Sequence, residues 1–181
     1  MSSFSDESLM LAVTQGDWAA FEQLVMRHQQ TAWRTAYRMV GDYQAAEDLA
    51  QEAFLRIFRA AGHYRPTAKF RTYLYRVVVR LCLDYLRKGR PTTAVDLSLV
   101  IGPTAAADEQ ASLGERSHAV QQAVACLPPK QRSAVVLRYY EGLSTREIAD
   151  AMQVTAKAVE RLLARGRAAL QERLGRLLEE L

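Results

Sequence analysis

The side chains best suited to chemistry lie near the C-terminus, on a segment that the sequence predicts to be a helix beginning near Thr155. Apolar residues recur on one face of this helix, which leaves charged side chains on the opposite face. Lysine or arginine can donate paired hydrogen bonds to guanine, and a glutamate can accept one from cytosine. The residues that we expect to face DNA bases or phosphates are Thr155, Lys157, Glu160, Arg161, Ala164, Arg165 and Arg167.

A preceding short helix and a tight turn would hold this face in position. Ser144 followed three residues later by Glu147 forms a capping-box pattern that begins the short helix. Gln153 and Val154 supply the turn, and a helix-turn-helix places the outward N-terminal residues of its second helix in the major groove. The alternative is an ordinary helical hairpin with a solvated charged face. The buried stripe of the second helix would be Val159, Leu162, Leu163, Gly166 and Leu170.

A second basic surface is predicted on a helix from about Lys69 to Lys88 and on the loop before it. Eight basic residues and one acid lie between Arg65 and Arg90, interleaved with tyrosines. This composition suits a surface that binds the phosphate backbone and stacks on exposed bases. A solvated helix with Tyr73 and Tyr75 partly in the core is the alternative. The candidate DNA-binding residues here are Tyr64, Arg65, Lys69, Tyr73, Arg76, Arg80 and Arg87.

A third candidate surface combines acids, an amide and a leucine on a helix from about Tyr43 to Ala61. An exposed leucine beside polar side chains either forms the edge of a protein-binding surface or has no function. The predicted core stripe comprises Leu49, Ala50, Ala53, Phe54, Ile57 and Phe58, and the opposite face carries Glu47, Asp48, Gln51, Glu52 and Leu55. These carboxylates have no metal-ligating partner in the sequence, which argues against a catalytic cluster.

The remaining segments are also predicted to be helical, so the fold class is all-α. Helices are expected from Ser5, from about Trp18 to Val40, from about Gly114 to Leu127, and from Pro129 or Lys130. The Pro129 helix would bury Val135, Val136, Leu137 and Tyr139 and end at Gly142, and a leucine-rich tail follows Gly166.

Charge distribution predicts two small domains. Residues 1–90 carry a net charge of +4, residues 91–113 carry −3, and residues 114–181 carry +3. Residues 91–113 contain two prolines and no periodic apolar pattern, which indicates a flexible acidic linker between domains 1–90 and 114–181. A short apolar run from Leu97 to Ile101 is a candidate for docking on a partner.

Composition narrows the function classes. The net charge is +4 over 181 residues, which is compatible with nucleic-acid binding. Cys82 and Cys126 lie in apolar helical patterns and are expected to be small core residues. No apolar run approaches the roughly 20 residues that span a bilayer. We therefore expect a cytoplasmic protein without metal, cofactor or enzyme activity, since no phosphate loop or nucleophile motif is present.

Taken together, three stretches make the chain resemble bacterial sigma factors of the extracytoplasmic-function (ECF) group. The first, AEDLAQEAFLRIFRA, is similar to the family segment that docks on the coiled coil of the largest polymerase subunit. The second, FRTYLYRVVVRLCLDYLRKGR, is similar to the helix that binds the −10 promoter element, and the loop at Gly62 to Thr67 corresponds to a pocket for a flipped-out base. The third, from Leu127 to Leu170, resembles the module that binds the −35 element.

The resemblance implies binding without catalysis. Both domains would attach to core RNA polymerase and hold two promoter boxes at once, and bases pulled from the stack would be trapped by the N-terminal domain. Polymerase contacts carried over by position are Asp48, Gln51, Glu52 and Leu55. An anti-sigma factor is the expected regulator, because no sensor domain is visible. The chain departs from common family residues at Tyr73, Arg80, Gln153, Glu160 and Gly166, so the promoter sequence does not follow from the family.

Two other binding functions compete with this interpretation. A sigma mimic, which sequesters an anti-sigma factor and binds no DNA, would be expected to lack both basic faces. A transcriptional regulator with a helical effector domain would explain the C-terminal half only.

Overall fold

A computed structural model describes residues 4–89 and 119–179, with side chains described up to residue 175. Every regular element in these ranges is helical, which confirms the all-α prediction. The predicted linker, residues 91–113, and the run from Leu97 to Ile101 lie outside the described residues. The helices are α1 (Asp6–Thr14), α2 (Trp18–Val40), α3 (Tyr43–Arg59), a 3₁₀ turn (Ala61–His63), α4 (Phe70–Arg87), α5 (its described part, 119–125), α6 (Pro129–Val135), a π-helical turn (Val136–Tyr140), α7 (Thr145–Met152) and α8 (Ala156–Glu179).

Local capping sets the ends of the first three helices. The side chains of Ser5, Asp17 and Asp42 accept hydrogen bonds from the backbone N–H three residues later, at 3.1, 3.0 and 2.7 Å. Each satisfies an N–H that the first helical turn leaves without a partner. Gly41 ends α2 in the left-handed conformation, with φ of 71°, as the sequence predicted. Helices α1 to α4 then pack around a core whose largest buried side chains include Met10, Leu24, Met39, Ile57, Phe70 and Leu74.

In the C-terminal half, α7 and α8 form the predicted helix-turn-helix. Ser144 and Glu147 make the capping box, and Gln153 ends α7 with φ of 55°. Thr155 caps α8, since its hydroxyl accepts from the N–H of Ala158 at 3.2 Å. Helix α8 packs on α6 and α7 through Val159 and Leu163, both buried as predicted.

One glutamate connects the two halves of the molecule. Glu141 follows the π-helical turn, whose wider winding joins its N–H to the carbonyl of Val136 at 3.2 Å. Its carboxylate is buried against α2 and α4, where it accepts hydrogen bonds from Thr35 (3.0 Å) and Tyr75 (2.5 Å) and pairs with Arg38 at 3.4 Å. The side chain of Arg71 donates to the Glu141 carbonyl at 2.5 Å. Because a buried carboxylate needs such partners, this cluster fixes how the two halves meet.

A buried arginine makes a second connection between the halves. Arg132 of α6 donates to the carbonyl of Met39, at the end of α2, at 2.5 Å. It also donates to the carbonyls of Ala125 and Leu127 in its own half. The cation thus lies at the C-terminal end of α2, where the helix dipole favours positive charge. Buried apolar residues of both halves accordingly belong to one continuous core.

Three predicted core residues are exposed instead. Phe58 lies on the surface, where its ring packs on Trp18 and Phe21, and Tyr139 lies on the outer side of the π-helical turn. Cys126 is exposed at the end of α5, whereas Cys82 is fully buried as predicted. In each case the residue lies in an apolar stretch, but it lies near the edge of its helix stripe or at a helix end. The predicted tail residues Leu177 and Leu178 lie outside the described side chains.

The close approach of α8 to α6 depends on a glycine. A Cβ atom at Gly166 would lie 2.8 Å from Cγ2 of Val135, whereas one at Gly175 on the same helix would meet nothing within 4 Å. Alanine generally favours a helix over glycine by about 0.5–1 kcal/mol. At Gly166 that gain competes with overpacking, which typically costs about 1–3 kcal/mol.

We therefore expect Gly166→Ala to lower the free energy of unfolding and Gly175→Ala to leave it equal or higher. Adding Val135→Ala to Gly166→Ala should remove the clash, so the combined loss should be smaller than the sum of the two single losses. Urea denaturation of the four variants measures this directly. Equal stability of the two glycine variants would show that α6 shifts freely away from α8.

Candidate nucleic-acid interface

All the residues that the sequence predicted for base and phosphate contacts are exposed, and most of them lie on the outward face of α8, whereas Arg167 lies at its edge and lines a groove with Tyr139 and Leu170. Burial of Val159 on the opposite side fixes the rotation of the helix. The exposed set is Thr155, Lys157, Glu160, Arg161, Ala164, Arg165 and Arg167. This face therefore presents cations and one carboxylate near the N-terminal end of a helix, a composition that suits contacts with base edges in a major groove.

In the capping box of α7, hydrogen bonds from Ser144 hold the negatively charged Glu147 carboxylate in place. Glu147 accepts from the backbone N–H of Ser144 at 2.9 Å and from its hydroxyl at 2.7 Å. These bonds lower the pKa of Glu147, so the carboxylate stays ionised at neutral pH. The beginning of α7 is thus a fixed negative point facing α4.

A small cavity opens between the 3₁₀ turn and the beginning of α4. It has a volume of about 210 Å³, which is large enough for a planar base. Tyr64 is buried at 6% exposure, and its ring centroid lies 5.4 Å from that of Tyr73, which is partly exposed. The lining residues are Ala60, His63, Tyr64, Arg65, Thr67, Ala68, Tyr73 and Arg76.

The hydroxyl of Tyr64 is buried without a hydrogen-bond partner among the described residues. Burial raises the pKa of Tyr64, and the nearby Glu7 carboxylate raises it further. A buried, unpaired hydroxyl costs free energy unless something supplies a partner. The residue that carries this unsatisfied hydroxyl also lines the cavity.

Tyr75 does not belong to this surface. It is fully buried and donates to Glu141, and burial is the main cause that raises its pKa. Tyrosine composition alone could not separate Tyr75 from Tyr73, because both occur in a basic segment. Their positions differ by two residues, and on a helix this turns them to different faces.

The basic face of α4 is shared with the helix-turn-helix. Lys69 pairs with Glu147 at 3.7 Å, and Arg76 donates to the carbonyl of Asp150 at 3.2 Å. Farther along α4, Arg80 and Arg87 are exposed, and Arg87 pairs with Asp84 at 3.1 Å. The N-terminal part of the basic face therefore contacts α7, while its C-terminal part faces outward.

On α3, the four residues predicted to contact a protein partner share an accessible face. Asp48, Gln51 and Leu55 are exposed, and Glu52 pairs with Arg56 at 2.7 Å. Glu52 has a lowered pKa because Arg56 donates a hydrogen bond to it. Beside this face lies a groove of about 620 Å³ between α2 and α3, lined by Phe21, Val25, Gln29, Gln30, Trp33, Tyr43, Glu47, Ala50, Gln51, Phe54 and Leu55.

Sequence reasoning missed the contribution of α2 to this surface. Trp18 and Met26 of α2 expose 62% and 68% of their area, and Tyr43 exposes 46% at the start of α3. The signal was available, because Trp18 and Met26 are eight residues apart and so lie close to one helix face. Of these three side chains, Tyr43 lines the groove, and exposed apolar side chains beside a groove are typical of a protein-binding surface.

Within the part of the chain that the structure describes, no group of three or more potential ligands is placed to hold a metal ion. None of the described helices combines the length and apolar character needed to cross a membrane.

Comparison with known proteins assigns both halves of the chain. Residues 24–92 match Sigma-70 region 2, and residues 117–170 match Sigma-70 region 4. The chain is 37% identical to the RNA polymerase sigma-H factor of Pseudomonas aeruginosa over 97% of its own length and 96% of that protein. It is 31% identical to the ECF sigma factor SigW of Bacillus subtilis, covering 90% and 92% of the two chains. Its fold is similar to CnrH in complex with the cytosolic domain of CnrY, with a TM-score of 0.70 and 26% identity over 94% of this chain and 97% of that one.

Replacing Tyr64 and Tyr75 with phenylalanine should have different effects on the free energy of unfolding. Tyr64→Phe removes an unpaired buried hydroxyl, so the free energy of unfolding should stay the same or rise by up to about 1 kcal/mol. Tyr75→Phe removes a hydrogen-bond donor to the Glu141 carboxylate and should lower the free energy of unfolding by about 1–3 kcal/mol. Urea denaturation measures both variants, and an equal loss of stability in both would contradict the unpaired state of the Tyr64 hydroxyl and the bond from Tyr75 to Glu141.

Proposed function

Because the chain belongs to the ECF group of bacterial sigma factors, which direct promoter-specific transcription initiation by RNA polymerase, we propose that its two cationic surfaces divide the promoter between them. Helix α8 reads the −35 element, and the cavity with α4 holds the −10 element. Family members are DNA-recognition subunits and not catalysts. The observation that supports this assignment is that Thr155 and the six predicted residues of α8 are all exposed, and that Lys157, Arg161, Ala164 and Arg165 lie on the side opposite the buried Val159.

At the −35 element, the chemistry of the α8 face specifies distinct roles. Lys157 and Arg161 donate to guanine edges, and Glu160 accepts from the amino group of cytosine. Arg165 and Arg167, farther along the helix, bind phosphates and fix the register without reading sequence. Glu160 is the residue whose charge most strongly restricts the base opposite it, because a carboxylate has only acceptors to offer.

At the −10 element, the cavity next to α4 receives a base pulled out of the stack. Tyr73 provides a ring for stacking, and the ring of Tyr64 packs beside it with the centroids 5.4 Å apart. Arg65, Arg80 and Arg87 bind the backbone of the separated strand. Lys69 and Arg76 join them once their contacts with α7 are exchanged for phosphates.

Core RNA polymerase binds the α3 face and the adjoining groove. Asp48, Gln51 and Glu52 supply polar contacts, and Leu55 supplies an apolar one. Exposed apolar side chains beside a polar rim support this assignment, since they match the composition of protein interfaces. Because RNA polymerase is cytoplasmic, the chain acts in the cytoplasm.

We also propose that an anti-sigma factor regulates the chain. CnrH was solved in complex with the cytosolic domain of CnrY, and this chain shares its fold over nearly its whole length. We propose that a protein of this kind holds the chain inactive.

Replacing Arg161 with alanine should lower discrimination between the preferred and a substituted −35 sequence by about 1–3 kcal/mol, because a base contact is lost. Replacing Arg165 should weaken binding to both sequences alike and flatten its salt dependence. Competition binding of the holoenzyme to duplexes that differ at single −35 positions separates the two effects. Equal loss of discrimination in both variants would refute the separate roles.

Neutralising the α3 face should weaken binding to core polymerase. Asp48→Asn combined with Glu52→Gln removes two charged contacts and should raise the dissociation constant about tenfold, which corresponds to about 1.4 kcal/mol. Asp84→Asn combined with Glu172→Gln removes the same charge from α4 and α8 and serves as the matched control. Fluorescence titration with core polymerase measures both, and circular dichroism verifies the fold. Equal affinities of the two double variants for core polymerase would show that polymerase does not bind through the α3 face.

A further inference from the structure

Helix α1 lies before residues 24–92, the range that matches Sigma-70 region 2. Its first turn carries two carboxylates, Asp6 and Glu7, which contact different helices. Acids in a first helical turn commonly serve only the dipole of their own helix. Here both also contact groups elsewhere, so α1 joins other parts of the N-terminal half.

Asp6 holds α1 on α2. Its carboxylate pairs with Arg27 at 2.9 Å and with His28 at 2.7 Å. The imidazole of His28 in turn packs on the ring of Phe70, with centroids 5.3 Å apart. The start of α1 is therefore fixed beside the start of α4.

Glu7 caps α4 from a distance of 63 residues along the chain. Its Oε1 accepts the N–H of Phe70 at 2.8 Å. Lys69, at the N-cap position of α4, makes no capping hydrogen bond with its own side chain. A helix leaves its first N–H groups without partners, and a carboxylate satisfies one of them while favouring the positive end of the dipole. Glu7 thus supplies the N-terminal cap of α4 that the side chain of Lys69 does not provide.

The capped end of α4 forms one wall of the cavity described above. Tyr73 lies one turn beyond Phe70, and the loop before Lys69 supplies Tyr64 and Arg65. Helix α1 also packs on the 3₁₀ turn, Ala61–His63, on the opposite side of the cavity. The charge of Glu7 is close enough to Tyr64 to act on its hydroxyl. Glu7 therefore contacts the first turn of the helix that carries Tyr73 and also lies near Tyr64 on the other wall.

We propose that Glu7 is a positioning residue for the base-binding cavity: by capping α4 it holds the wall carrying Tyr73 against the wall carrying Tyr64. This inference rests on the proposed function of the cavity in the −10 element. Without the cap, the first turn of α4 frays and the two rings lose their fixed separation. The expected result is slower capture of the unpaired base, with binding to polymerase and to the −35 element unchanged.

The test uses the full chain in the holoenzyme and a promoter with 2-aminopurine at the −10 position that unstacks. Glu7→Ala should slow the fluorescence rise at least about fivefold, since small displacements of a positioned group cost large factors in rate. Glu7→Gln keeps an acceptor oxygen and should restore the rate to within about twofold. Asp17→Ala is the matched control, because it removes the N-cap of α2 in the same domain without touching the cavity.

Thermal melting and titration with core polymerase are measured for the same variants as the fluorescence rates. If Asp17→Ala destabilises the protein as much as Glu7→Ala but opens the promoter normally, the positioning role is supported. Equal slowing in both variants would reduce Glu7 to a stabilising cap and overturn the inference. Tyr73→Ala distinguishes failure of the Glu7 inference from failure of the proposed function. If Tyr73→Ala leaves the fluorescence rise unchanged, the cavity does not bind the base, and the positioning role of Glu7 fails as well.

Discussion

The buried carboxylate of Glu141 is the interaction on which the arrangement of the two halves depends. A charge in this position is tolerated only when donors surround it, and those donors come from α2 and α4 of the other half. The π-helical turn places the carboxylate there, since its wider winding displaces the end of the helix relative to a regular α-helix. Packing of α4 against α7 follows from this anchor.

That packing has a direct consequence for DNA binding. Lys69 and Arg76 contact α7, so their charges are partly used within the protein, whereas the recognition face of α8 is exposed. The two surfaces proposed to bind the promoter therefore differ in accessibility. In the proposed function, phosphates of the −10 strand replace Glu147 and the Asp150 carbonyl as partners of these cations. The surface on α3 lies apart from this junction and involves α2 instead.

Features that depend on nearby residues were predictable from the sequence. The caps at Ser5 and Ser144, the break at Gly41 and the outward face of α8 all follow from spacings of a few residues. Glu141 and Glu7 were missed because their partners lie 63 to 106 residues away, and no local pattern distinguishes a carboxylate that will be buried. Phe58 and Tyr139 were assigned to the core on apolar character alone, although tertiary packing leaves them outside.

In the proposed function, one chain holds two promoter boxes at the same time. Its most direct test is transcription by core polymerase and this chain from a pool of promoters in which both boxes and the length between them are randomised. The promoters that yield transcripts should share an upstream and a downstream box at one preferred separation, because both surfaces belong to one protein. Transcription that needs only one box, or that tolerates any separation, would contradict simultaneous recognition by α8 and the α4 cavity.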